Sequence, residues 1–197
     1  FYGVDMETGD IIYKQNIGVA VPGTPTALDS NIDGFHDRIY FGDSDGSVWR
    51  LGFPAPNSSS STGGDAGTLT RIFDFRGDFA DRQMFFTRPV TVPALFSGST
   101  YTWGLAFGTG DRPNLDREDG WIDQFFFLLD AGDGVTRGAV NLVGQDYSAL
   151  DGDFDCATNA LDPVNGRYGW YLSLRDNEKV VFDATVINGH VLFPTFE

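Results

Sequence analysis

Among 197 residues there are one cysteine, two histidines and two methionines, and these shortages exclude several kinds of chemistry. A lone Cys156 forms no disulfide within the chain. That fits a reducing compartment, or an exported protein whose partner cysteine lies elsewhere. Without a neighbouring base it reads as a buried or paired residue, not a nucleophile. His36 and His190 stand apart from any nucleophile motif, and the Ser58–Ser61 run lacks a Gly-x-Ser-x-Gly elbow. The stretch Phe107-Gly108-Thr109-Gly110-Asp111 has no Lys-Ser/Thr behind it to make a phosphate loop. Carboxylate pairs serve glycoside hydrolysis only when set across a cleft, which spacing alone does not place. Basic residues are scarce as well, 13 against 28 acidic, for a formal net charge of -15. A field of that sign repels phosphate, which argues against nucleic acid and anionic membrane as partners and favours divalent cations. No apolar run approaches the ~20 residues of a membrane span, so no membrane insertion is expected. No signal peptide opens the chain. Phe1 falls in mid-strand and Glu197 just after another strand-like run, and the whole reads as an excerpt of a longer polypeptide.

What is abundant is glycine, at 25, and phenylalanine, at 18, within 15% aromatics. That mixture favours short strands joined by tight turns over amphipathic helices. Phe1–Asp5 and Ile11–Lys14 read as a hairpin about the Glu7-Thr8-Gly9-Asp10 turn, and Pro22 and Pro25 mark a connection. Strands are predicted at Thr24–Leu28, Arg38–Gly42, Ser47–Phe53 and Thr68–Phe75, with Asp43-Ser44-Asp45-Gly46 as a turn. Residues 54–67, rich in Pro, Ser and Gly, read as a flexible loop. A second unit follows the same rhythm. Val90–Phe96 carries Pro93 and so belongs at an edge, Tyr101–Gly108 comes next, and Trp121–Asp130 is apolar enough to be buried on both faces. Residues 131–168 show little periodicity. Gly169–Leu174, Lys179–Val186 and His190–Phe196 complete the set, with Asn188-Gly189 as the clearest hairpin turn. Short strands in units of roughly 45 residues predict an all-β protein, a β-propeller of about four blades or part of a larger one. A β-sandwich is the alternative. Trp49, Trp103, Trp121 and Trp170 read as core or blade-packing residues.

One stretch carries distinct chemistry, Asp29-Ser30-Asn31-Ile32-Asp33-Gly34-Phe35-His36-Asp37. Oxygen-bearing side chains recur at loop positions 1, 3, 5 and 9, with glycine at position 6 and the Phe35 carbonyl at position 7. This is the alternation that turns donors inward on one hard cation, and the glycine permits the reversal. Position 12 is Tyr40, which has no carboxylate, and a β-favouring run follows. The stretch therefore reads as a Ca2+ loop in a β-hairpin and not as an EF-hand, with Asp29, Asn31, Asp33, Asp37 and the Phe35 carbonyl as ligands. The same residues also suit an ion-free acidic turn that caps its own backbone. Asp151, Asp153 and Asp155 imitate the first half of such a loop, but Cys156 stands where glycine belongs, and an acidic turn is the favoured reading. Asp111, Asp116, Glu118 and Asp119 read as a surface loop.

Three segments in order resemble the PilC/PilY-type proteins of type IV pili. They are LDSNIDGFHDRIYFGDSDGSVWRL (residues 28–51), TRPVTVPA with LAFGTGDRPNLDRED (87–94 and 105–119), and GWYLSLRDNEKVVFDATVINGHVLFPTF (169–196). The resemblance covers nearly the whole chain apart from the serine linker and residues 131–168. It implies a C-terminal β-propeller of a large exported protein at the pilus tip or outer cell surface. It further implies a role in pilus biogenesis, in opposing retraction and in adhesion to host or abiotic surfaces, with pilin or minor pilins as partners. It also implies calcium held by Asp29, Asn31, Asp33, Asp37 and the Phe35 carbonyl. Asn31 departs from the family, where Asp is common, and one charge fewer weakens the site. The opening hairpin, YGVDMETGDIIYKQ, resembles quinoprotein dehydrogenase blades. Those enzymes usually carry an adjacent-cysteine pair, which one cysteine does not provide. An integrin-like adhesive propeller is a third expectation.

Overall fold

The computed structural model describes residues 1–53, 67–79, 83–96, 100–116, 121–145 and 161–197. The serine-rich loop expected at 54–67 lies outside them except for Gly67, and Asp151, Asp153, Asp155 and Cys156 lie outside them entirely. Among the described residues, strands are the regular structure, with only short 3-10 turns between them, as the all-β expectation requires.

The chain opens with the hairpin β1 (Tyr2–Val4) and β2 (Ile11–Lys14). A four-stranded antiparallel sheet follows, in sequence order: β3 (Thr26–Leu28), β4 (Arg38–Gly42), β5 (Ser47–Gly52) and β6 (Thr68–Asp74). This up-and-down sheet is the shape of a propeller blade. Its β4–β5 turn is stitched by Asp43, whose carboxylate accepts from the N–H groups of Asp45 and Ser47 and from the Trp49 indole. Gly46 takes the left-handed conformation (φ 93°) that closes the turn.

The antiparallel body of the second, six-stranded sheet is built from β7 (Val90–Phe96), β8 (Thr100–Gly108), β9 (Gln124–Asp130) and β12 (Arg167–Ser173). Pro93 does sit on an edge strand, because β7 ends the sheet. Every residue of β9 is buried. Phe126 and Leu128 point into a core shared with Tyr40, Val48 and Phe73 of the first sheet. Phe125, Phe127 and Leu129 point the other way, onto Leu172 and Val180. A strand covered on both faces reads as an unbroken apolar run, which is how it stands in the sequence. The Phe-Gly-Thr-Gly segment has a packing role: a Cβ on Gly108 would collide with the Val180 side chain.

Three features depart from the expected strands. Residues 131–168 contain β10 (Val143–Gln145), parallel to β12, and β11 (Leu161–Asp162). The single strand expected over Lys179–Val186 is broken into β13 (Lys179–Val180) and β14 (Thr185–Ile187). The chain bends between them, where the Asp183 carboxylate accepts from the Arg88 N–H at 2.8 Å. The expected His190–Phe196 strand is likewise divided, into β15 (His190–Leu192) and β16 (Thr195–Phe196). β14 pairs with β15 across Asn188-Gly189, both residues with positive φ, and β13 pairs with β16.

Candidate cation loop and its anchorage

The loop 29–37 connects β3 to β4, and Asp37 N–H donates to the Leu28 carbonyl at 2.9 Å to close its base. Inside, the short polar side chains cap the backbone. Asp29 accepts from the N–H groups of Asp33 and Gly34, at 3.1 and 2.7 Å. The Asn31 carbonyl oxygen accepts from Asp33 N–H, and Asp33 from Phe35 N–H. Asp37 takes both the Ser30 N–H and hydroxyl, at 2.8 and 2.7 Å. Ile32 and Gly34 adopt left-handed conformations (φ 61° and 96°), and for β-branched Ile32 that is a strained one. Partial desolvation pushes the Asp29 carboxyl up, but the N–H groups of Gly34, Asp33 and Ile32 outweigh it and hold the group below its ordinary value.

By residue type alone the donor set is one that a hard cation takes. It is oxygen-only, and a carboxylate oxygen that accepts one hydrogen bond keeps a second lone pair. The self-capped turn is visible in the same geometry. Among the described residues, no three His, Cys, Asp or Glu side chains are gathered at metal-binding reach. Asp111, of the later acidic stretch, accepts from the Asn114 side chain at 2.6 Å and is largely buried, while Glu118 and Asp119 lie outside the described residues.

Sequence reasoning missed the residues that anchor this loop. Asp130, at the end of β9, is almost fully buried. It accepts from Arg50 of β5 at 2.6 and 2.8 Å, from the Tyr40 hydroxyl at 2.7 Å, and from Gly132 N–H at 3.0 Å. Arg38, the residue after the loop, stands 3.5 Å away. Burial lowers the Arg38 pKa, but the Tyr40 hydroxyl and the Asp130 and Asp37 charges outweigh it and hold the guanidinium more firmly protonated. Burial first, and the Asp130 charge second, push the Tyr40 phenol well above its usual value. The one available signal was a carboxylate closing an otherwise apolar strand, since a buried acid requires cationic partners. Of the tryptophans, Trp103 packs on the shared core and Trp170 on the opposite one, while Trp49 lies under Arg71.

No family model matches the chain, and no curated protein matches it by sequence. Among solved structures it is similar to the C-terminal domain of Pseudomonas aeruginosa PilY1, with a TM-score of 0.69 at 20% identity. The match covers 98% of this chain and 49% of that one, so the chain spans about half the length of its neighbour. The likeness places the two in one fold, an all-β, propeller-type architecture.

Proposed function

We propose that this chain is a calcium-binding, non-catalytic module of a type IV pilus-associated protein. The module belongs to a larger propeller exported through the periplasm to the outer cell surface or pilus tip. The observation that carries the reading is the placement of loop 29–37 between the first two strands of a blade, in a fold shared with the PilY1 C-terminal domain. Fold alone does not assign function. The order of the three sequence motifs adds to it, as does a donor set suited to calcium.

Bound calcium would supply positive charge against Asp29, Asp33 and Asp37. The oxygens of those three residues, of Asn31 and of the Phe35 carbonyl would hold it. The chain's own contribution is a loop whose backbone is already turned, with ends closed by β3 and β4. In the pilus machinery the module would act in biogenesis, control of retraction and surface adhesion, with pilin or minor pilins and a host or abiotic surface as partners. The test is Asp33→Ala in the intact protein, with surface piliation compared in calcium and in chelator. Piliation that loses its dependence on calcium supports the reading, and dependence unchanged from wild type overturns it. Quinone-dependent alcohol oxidation by the purified chain would overturn the non-catalytic assignment.

A further inference from the structure

The chain holds two Asn-Gly pairs, Asn165-Gly166 and Asn188-Gly189, each preceded by a β-branched residue. Asparagine before glycine readily loses its amide, because no Cβ shields the next backbone nitrogen. By sequence the two pairs are alike, and the fold makes them unequal. Asn165 is locked. Its side-chain amide donates to Asp162 at 2.5 Å, and its backbone N–H donates to the same carboxylate at 3.3 Å. The Gly166 N–H donates to the Pro163 carbonyl at 3.1 Å, and the Gly166 carbonyl accepts from the Asn141 side chain at 3.3 Å. Asn188 and Gly189 instead stand exposed at the tip of the β14–β15 hairpin. His190 Nδ1 reaches the Asn188 main-chain carbonyl at 3.0 Å, but among the described residues neither the Asn188 carboxamide nor the Gly189 N–H is engaged. The hairpin has three residue pairs, of which Val186 and Val191 alone are half-buried.

We infer that Asn188 is a site of spontaneous covalent modification, deamidation through a cyclic imide, and that its hydrogen bonds protect Asn165 from the same reaction. The Gly189 nitrogen gives its proton to a solvent base and bonds to Asn188 Cγ. The Cγ–Nδ2 bond breaks, and the departing nitrogen takes a proton from water and leaves as ammonia. Water then opens the five-membered imide. Opening at Cγ leaves aspartate, and opening at the main-chain carbonyl leaves isoaspartate, with the backbone routed through Cγ. In sum one water is consumed and one ammonia released. In a left-handed turn the next backbone nitrogen lies anti to Cβ, out of reach of Cγ, so the reaction passes through opening of the tip. That opening gives up one end pair of a short, exposed hairpin, whereas Asn165 must give up all four of the bonds named above. The products differ in consequence. Aspartate still suits the turn and adds one negative charge. Isoaspartate lengthens the main chain by a methylene between Ile187 and His190, so their pairing, and with it the hairpin, is lost.

The experiment is peptide mass mapping of the purified chain aged in heavy-oxygen water at mildly alkaline pH, both folded and in urea, beside folded Asp162→Ala. The isotope enters the new carboxyl, and isoaspartate is scored by its methylation with an isoaspartyl methyltransferase. Expected in the folded chain is loss of the Asn188 amide on the order of tenfold or more faster than loss of the Asn165 amide, because several hydrogen bonds separate their openings. In urea the two sites should react at similar rates, and Asp162→Ala should accelerate Asn165 alone. If Asp162→Ala does not fold, the comparison of folded and urea-treated wild type decides. Asn165 reacting as fast as Asn188 in the folded chain overturns the inference. So does an Asn188 that reacts in urea and stays intact in the folded chain. Both readouts are independent of any cation in loop 29–37.

Discussion

Replacing Asp130 by alanine removes the carboxylate at the joint between the two sheets. Its side chain is 3% exposed, and that of its closest partner, Arg50, is 13% exposed. Two magnitudes compete. An exposed ion pair contributes roughly 0–1 kcal/mol, whereas breaking a buried pair by removing one partner costs about 3–5 kcal/mol because the other charge is left uncompensated. The burial of both groups selects the second, and the lost bonds from Tyr40 and Gly132 act in the same direction. At about 2–4 °C per kcal/mol for a chain of this size, the melting temperature should fall by roughly 6–20 °C. Arg88→Ala is the comparison, because Arg88 and Asp183 are 48% and 44% exposed, and it should shift the midpoint by no more than about 4 °C. A double replacement, Asp130→Leu with Arg50→Met, should recover most of the loss, since an apolar pair leaves no buried charge behind. The assay is thermal unfolding followed by far-ultraviolet circular dichroism. A loss for Asp130→Ala as small as that for Arg88→Ala would show that the joint is solvated and refute the reasoning.

Three further outcomes are expected. Phe126 is fully buried and stacks on Phe75 at 4.7 Å between ring centroids, so Phe126→Ala should cost about 3–5 kcal/mol by chemical denaturation. The Arg76 guanidinium holds Asp74 far below the usual carboxylate range, and Arg137 likewise holds Asp133 low. A carboxylate with a depressed folded pKa contributes its full stability above the unfolded value and loses it as pH falls through the folded one. Stability should therefore decline progressively below about pH 4, and Asp74→Asn should flatten that decline in an acid titration of the unfolding midpoint. Chelation should raise amide hydrogen exchange first over Leu28 to Tyr40 and leave the Asn188-Gly189 hairpin almost untouched.

Much of the strand pattern was legible in the sequence because turn residues punctuate it. Arg38–Gly42 and Val90–Phe96 were bounded correctly, and the double-sided burial of the Phe125–Leu129 run followed from its unbroken apolarity. The bend at Phe182–Asp183 was not legible, since it is held by Arg88, which is remote in sequence. The parallel pairing of β10 with β12 escaped for the same reason, being a long-range contact of three residues with no periodicity of their own. At the loop, spacing and glycine marked the candidate ligands. Asp130 and Arg50 could not be connected to them, because each lies on a strand whose local pattern says only that it is buried or half-buried. Asp43-Ser44-Asp45-Gly46 was legible as a turn and Ser47–Phe53 as the strand after it. Its Trp49 does serve the turn, bonding Asp43, but its Arg50 serves the joint.

The central claim is that the oxygens of Asp29, Asn31, Asp33, Asp37 and the Phe35 carbonyl hold one calcium ion. Its most direct test is calorimetric titration of the folded chain with calcium, beside the same titration of Asp33→Ala. Saturable one-site heat in the wild type that vanishes in the variant is the predicted result. No heat in the wild type, or equal heat in the two proteins, contradicts the account.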